Sequence, residues 1–192
     1  MLAAGLLVAT LVVPCLLFLA WPSRAFKAID ITGASWGRDF RMPDQDGRVR
    51  TLADFRGDVV LLFFGFTQCP DVCPTTLARA ADVVARLGAD GRRVQVIFVT
   101  LDPERDTPEI LKAYTRSFDP RFLALRDEQA AMDAMAREFH IAYQRVPTGS
   151  SYTLDHTAVT YAFDPRGRLR LAIGHEQTAA EVAHDVQTLL EN

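Results

Sequence analysis

Runs of basic residues are missing from this chain, and its 21 lysines and arginines are outnumbered by 24 acidic residues, leaving a net charge of −3. A phosphate backbone would find no electrostatic footprint here, so nucleic acid is set aside as a partner. Internal repeats and long low-complexity stretches are absent too, which excludes a repeat array. Cysteine is scarce. The chain holds 3, and Cys15 lies in an apolar N-terminal stretch, so one pair, Cys69 and Cys73, is left for the remainder. Histidine is as scarce, with 4 in 192 residues. Once a tether is removed, about 170 residues remain, enough for one substantial core.

Charge is missing altogether from Met1 to Trp21. A helix of that length spans about 31 Å, the thickness of a bilayer core. Trp21 suits the interface, and Pro14 is tolerable in a lipid-embedded helix. A cleaved signal peptide fits less well, because the basic n-region is absent and Phe18 spoils cleavage after Ala20. Ser23-Arg24-Ala25 is only a weak small-x-small match, and Val13-Pro14-Cys15 lacks the small residue of a lipoprotein site. Residues 1–22 are therefore expected to be a transmembrane anchor or uncleaved signal, and 23–192 a single domain. Arg24 and Lys27 follow the span, and the charge rule taken alone would keep that side cytoplasmic.

What is present is most informative at Gly65-Phe66-Thr67-Gln68-Cys69-Pro70-Asp71-Val72-Cys73-Pro74. The run Val59 to Phe64 ahead of it reads as a fully buried strand. Pro74 with Leu77, Ala81, Val84 and Leu87 reads as the start and inner face of a helix. Two thiols thus sit where a strand hands over to a helix, whose N-terminus favours thiolates. Thiolate is the nucleophile of disulfide chemistry and a soft ligand for Cu(I) or Zn(II). The site is redox-active, metal-binding or both; a static disulfide or two unrelated buried cysteines are the plain alternatives. Thioredoxin-type oxidoreductases carry two residues between their cysteines, one fewer than here. A peroxidatic cysteine wants Thr or Ser three positions earlier, where this chain has Phe66 and Pro70.

The remaining pattern alternates strands and helices. A hairpin is expected at Asp46-Gly47 between Arg38–Phe40 and Val49–Thr51, then the buried strand Val59–Phe66 and a helix over Pro74–Leu87. Next come a strand over Val94–Leu101, a helix over Pro108–Ser117, a short strand near Phe122–Leu125 and a helix over Glu128–Phe139. Thr148 to Thr153 reads as a polar loop. Strands over His156–Phe163 and Leu169–Ile173 turn at Pro165-Arg166-Gly167, and the last helix covers Ala179–Leu190. Thr107 and Pro108 read as a helix cap and first position, with Asp106 and Glu109 complementing the dipole.

The segment Gly65 to Leu77 strongly resembles the Sco/SenC copper-chaperone family. Asp30–Ala34 with Trp36-Gly37 and Asp39-Phe40 is similar to that family's entry segment. Val99–Pro108 resembles its second signature. Asp155-His156-Thr157, followed by Tyr161, Asp164-Pro165 and Gly167, resembles its histidine block. The resemblance runs from about Phe26 to the C-terminus. Gln68 departs from the His often found there, and Asp58 from a Lys.

The resemblance implies a thioredoxin-like, peroxiredoxin-related α/β domain tethered to an energy-transducing membrane. The domain would lie on the periplasmic face of a bacterial inner membrane or the equivalent mitochondrial intermembrane face. It implies copper, as Cu(I) or Cu(II), held by Cys69, Cys73 and His156. It implies help in maturing the CuA centre of cytochrome c oxidase, by copper delivery or by reduction of the receiving cysteines. The partners would be the CuA-carrying oxidase subunit, other copper chaperones or thiol reductants. The expected role is mainly that of a metallochaperone. The alternative is a membrane-tethered thiol–disulfide oxidoreductase with no obligatory metal, using Cys69 and Cys73 as its redox pair.

The residue chemistry agrees. Two thiolates hold Cu(I), and a neutral imidazole adds a ligand that suits both oxidation states. Among the other histidines, His140 ends a helical pattern, His175 follows a strand, and His184 falls on the polar side of the last helix. Asp71 is a candidate for tuning the thiols or forming the turn between prolines. Asp155 is expected to fix the backbone beside His156.

Overall fold

The computed structural model describes residues 25–191. In chain order the strands and helices begin with β1 (Ile29–Asp30), β2 (Arg41–Pro43), β3 (Val49–Thr51), β4 (Val59–Gly65), α1 (Val72–Arg86), β5 (Val94–Thr100) and α2 (Pro108–Arg116). They continue with β6 (Leu123–Leu125), α3 (Gln129–Glu138), β7 (Tyr143–Thr148), β8 (Ser151–His156), β9 (Val159–Phe163), β10 (Leu169–Gly174) and α4 (Ala179–Leu190).

Every residue of β4 is buried, as an unbroken Val/Leu/Phe run with no polar face requires. It lies parallel to β5, which is parallel to β6, and antiparallel to β9. The six-stranded sheet runs β1-β10-β9-β4-β5-β6. On one face Leu61 and Phe63 meet Leu77 and Val83 of α1 and Val182 of α4. Phe98, in register with Phe63, carries this face on to Tyr114 of α2. On the other face Phe64 packs against Phe139 at 5.4 Å between ring centroids, and Phe139 also meets Tyr161 and Phe163. The sheet is thus covered on both sides, and the C-terminal ends of β4 and β5 are where the cysteine loop emerges.

Several boundaries differ from the sequence reading for identifiable reasons. Helix α1 begins at Val72, ahead of the expected Pro74, since a first-turn N–H has no partner within the helix and proline there costs nothing. Its start brings Cys73 inside the first turn. The first hairpin pairs Arg41–Pro43, displaced from Arg38–Phe40, with Val49–Thr51. The polar loop expected over Thr148 to Thr153 is instead the tip of a β7–β8 hairpin, a two-stranded sheet of its own. Consequently His156 ends β8 and does not open the next strand. Of this hairpin only Leu154 is buried, so no apolar alternation announces it.

The expected cap at Thr107 is formed, and a second, not anticipated from the sequence, stands at Thr178. The Thr107 side chain accepts from the Ile110 N–H ahead of Pro108, and Thr178 forms a capping box with Glu181. Helix α3 closes with the His140 N–H bonding Arg137 O and the Ile141 N–H bonding Ala136 O. His140 therefore occupies the left-handed position (φ 53°) usually given to glycine. Its ring stacks on Trp36 at 4.5 Å.

Among the described residues no helix is long and apolar enough to cross a membrane. The expected anchor, residues 1–22, lies outside the described residues, as does Cys15.

Candidate metal centre

Three separate elements supply the site. Cys69 sits in the loop after β4, Cys73 in the first turn of α1, and His156 at the end of β8. Their donor atoms all lie within 4.8 Å of one another. Cys73 Sγ is 3.6 Å from His156 Nε2, and the Cys73 N–H points to Cys69 Sγ at 3.4 Å. Both cysteines are free thiols.

Local constraints produce this convergence. Gly65 ends β4 beneath Cys73: a Cβ there would lie 2.7 Å from Cys73 Sγ and 2.9 Å from the Phe98 ring. Only glycine lets the sulfur settle on the sheet. His156 Nδ1 lies 3.1 Å from the Thr157 carbonyl. A carbonyl only accepts, so Nδ1 carries the proton and Nε2 keeps its lone pair toward the sulfurs. The Phe63 and Phe66 rings meet the imidazole edge-on, with centroids at 6.2 and 5.9 Å.

The two thiols are not equivalent. Cys73 is fully buried, while Cys69 is partly exposed. A hydrogen bond from the Cys73 thiol, aided by the Asp71 and Cys73 N–H groups, pulls Cys69 down to about 5 against the opposing effect of burial. Cys73 moves the other way, pushed above the ordinary thiol range by that same bond, by burial and by Cys69 and Asp106 nearby. The helix start thus favours one thiolate, where the sequence reading expected both thiols to be lowered. The bond between the two sulfurs thus moves them in opposite directions, Cys69 down and Cys73 up.

Residues 30–191 match the profile of the family described as SCO1/SenC. This chain belongs to the SCO1/SenC family. It is 36% identical over 135 residues to a SCO2-like protein of Rickettsia felis, an overlap covering 69% of this chain and 66% of that protein. The structure of Bradyrhizobium japonicum ScoI with copper bound is similar at 38% identity and a TM-score of 0.72, covering 80% of this chain and 98% of that one. The solution structure of apo Sco1 from Thermus thermophilus is similar at 37% identity and a TM-score of 0.78, covering 88% and 99%. The mixed α/β arrangement is the thioredoxin-like fold of the SCO1/SenC family.

The other expected residues are dispersed. His140 is occupied at the end of α3, His175 follows β10 beside Glu176, and His184 bonds its neighbour Asp185. Asp71 occupies the α1 cap position without a side-chain cap bond, although its N–H supports Cys69. Asp155 is exposed and pairs in register with Gln144.

Two residues around this SCO1/SenC site were assigned otherwise or overlooked. Asp106, read as a helix-dipole charge, is buried and accepts from the Thr67 N–H at 3.1 Å, the Thr67 hydroxyl at 2.5 Å and the Thr100 hydroxyl at 2.6 Å. It fixes the loop leading to Cys69, and burial raises its pKa. Arg105 reaches both Gln68 and the Tyr152 carbonyl. Their only signal in sequence was membership of the Val99–Pro108 block.

Proposed function

We propose that this chain is a copper-binding chaperone that helps mature the CuA centre of cytochrome c oxidase, by delivering copper, by reducing the receiving cysteines, or both. The observation that carries the reading is the meeting of Cys69, Cys73 and His156 donor atoms within 4.8 Å. Copper is cargo here. Cys69 offers a thiolate, His156 Nε2 a lone pair, and Cys73 becomes a ligand by releasing its proton as the ion enters. Two sulfurs suit Cu(I), and the added imidazole lets the same site hold Cu(II). The partial exposure of Cys69 and His156 leaves a side from which a client's ligands can take the ion.

Family membership supports the CuA-carrying oxidase subunit as client, with other copper chaperones or thiol reductants as further partners. The charge-free stretch Met1–Trp21 supports a membrane anchor. Family membership supports a domain on the periplasmic face of a bacterial inner membrane, or on the mitochondrial intermembrane face.

X-ray absorption of the copper-loaded full chain tests the reading. Two sulfur scatterers in the copper shell are expected, and a shell without sulfur overturns it.

The asymmetry of the thiols favours a second reading, a tethered thiol–disulfide oxidoreductase. A half-exposed Cys69 lowered to about 5 beside a buried Cys73 has the form of an attacking and a resolving thiol.

A further inference from the structure

The β7–β8 hairpin that carries His156 is separate from the main sheet, so main-sheet hydrogen bonds do not hold it over the cysteines. Arg105 supplies a link. Its Nη1 donates to Gln68 Oε1 at 3.1 Å and to the Tyr152 carbonyl at 2.7 Å. Its Nε donates to the buried carboxylate of Asp102, which also accepts the Tyr152 hydroxyl at 2.7 Å. The guanidinium lies 3.7 Å from the centroid of the Tyr152 ring. Gln68 immediately precedes Cys69, and Tyr152 lies on the strand that ends at His156.

One planar cation therefore touches the cysteine loop, the histidine strand and the loop after β5. A compact ammonium could not reproduce this fork and stacking together. Among the described residues Arg105 Nη2 is buried without a hydrogen-bond partner, a cost that the other contacts of the guanidinium must offset. Gln68 Oε1 is an acceptor matched to a side chain that has only donors.

We propose that Arg105 is a positioning residue of the metal centre: it clamps the β7–β8 hairpin to the Cys69 loop, with Gln68 as its acceptor, and thereby sets His156 against the two sulfurs. The proposal rests on the reading of His156 as a copper ligand.

The test compares the full chain in detergent as wild type, His156→Ala, Arg105→Lys, Gln68→Leu and the double variant Arg105→Lys/His156→Ala. Cu(I) and Cu(II) affinities are measured by competition, and the Cu(II) form is examined by electron paramagnetic resonance for nitrogen hyperfine coupling. Arg105→Lys is expected to lower Cu(II) affinity about 10-fold and weaken the nitrogen coupling, while Cu(I) affinity stays within about twofold. The double variant should bind no more weakly than His156→Ala alone, since the clamp then has no ligand to position. Gln68→Leu, at an exposed position, should act in the same direction and serves if Arg105→Lys does not fold.

If His156→Ala weakens Cu(II) binding while Arg105→Lys and Gln68→Leu leave affinity and coupling unchanged, the clamp is overturned and the copper reading stands. Multiplying losses in the double variant also overturn the clamp. Unchanged Cu(II) binding in His156→Ala overturns the copper-ligand reading itself.

Discussion

Cys73 Sγ and His156 Nε2 lie 3.6 Å apart although 83 positions separate them along the chain. The contact is between a sulfur sealed beneath a helix and a nitrogen at the end of a largely exposed hairpin. Its chemistry depends on both being present.

Replacing either Cys69 or Cys73 by Ala should abolish stoichiometric Cu(I) binding, because one thiolate with one imidazole is a poor soft site. His156→Ala should weaken Cu(II) binding far more than Cu(I) binding. Equilibrium competition in both oxidation states checks this, and equal losses for the two ions would count against the assignment.

Thiol reactivity should be sharply unequal. Cys69, lowered to about 5, should be alkylated by iodoacetamide with a rate that reaches half its plateau near pH 5. Buried Cys73, raised above the ordinary thiol range, should stay unlabelled while the protein is folded. Peptide mass spectrometry distinguishes the two. The sign for stability follows from a folded pKa about 5 against an ordinary value of 9.0. The ionised thiol's contribution is fully present above pH 9 and is lost as pH falls through 5. The advantage of wild type over Cys69→Ser in urea unfolding should shrink across that window.

Gly65→Ala places a methyl group against Cys73 Sγ and the Phe98 ring. Overpacking of this kind costs about 1–3 kcal/mol. Thermal unfolding should show the loss, and Cu(I) affinity should fall with it as the sulfur is displaced. Unchanged stability and binding would mean that the sulfur has room the geometry does not show.

The two readings of function separate in cells. His156→Ala cells should lose active cytochrome c oxidase when copper is scarce, while the purified variant still reduces a small disulfide substrate at nearly the wild-type rate. Full rescue of a deletion strain at low copper by His156→Ala would remove the copper-delivery reading in favour of thiol reduction.

Membrane fractionation tests the tether. With Met1–Trp21 as an anchor, the protein should remain with membranes through high-salt and carbonate washes, and its mature N-terminus should precede Ala25. A soluble chain beginning at Phe26 would instead mark a removed signal peptide.

The cysteine half of the site was legible because its supports are local. The Val59–Phe64 run has one physical solution, a strand buried on both faces, and the apolar spacing after Pro74 has another. The histidine half was not legible from pattern. His156 stood out from His140, His175 and His184 only through resemblance to a family, since the hairpin that carries it is exposed and shows no apolar face. Asp106 was misread for a related reason. Its place just before α2 suggests a dipole charge, whereas its hydrogen bonds go to Thr67, 39 positions away. Such long-range pairing leaves no periodicity to find. Arg105 was equally invisible, because its partners lie 37 and 47 positions distant.

The third donor rides on a ribbon outside the main sheet, so an ion bound by all three side chains acts as a removable cross-link. Loading then ties together two positions 83 residues apart, which the Arg105 contacts to Gln68 and Tyr152 already hold near each other. Most of the entropy of closing that loop is therefore spent in folding and not in binding the ion.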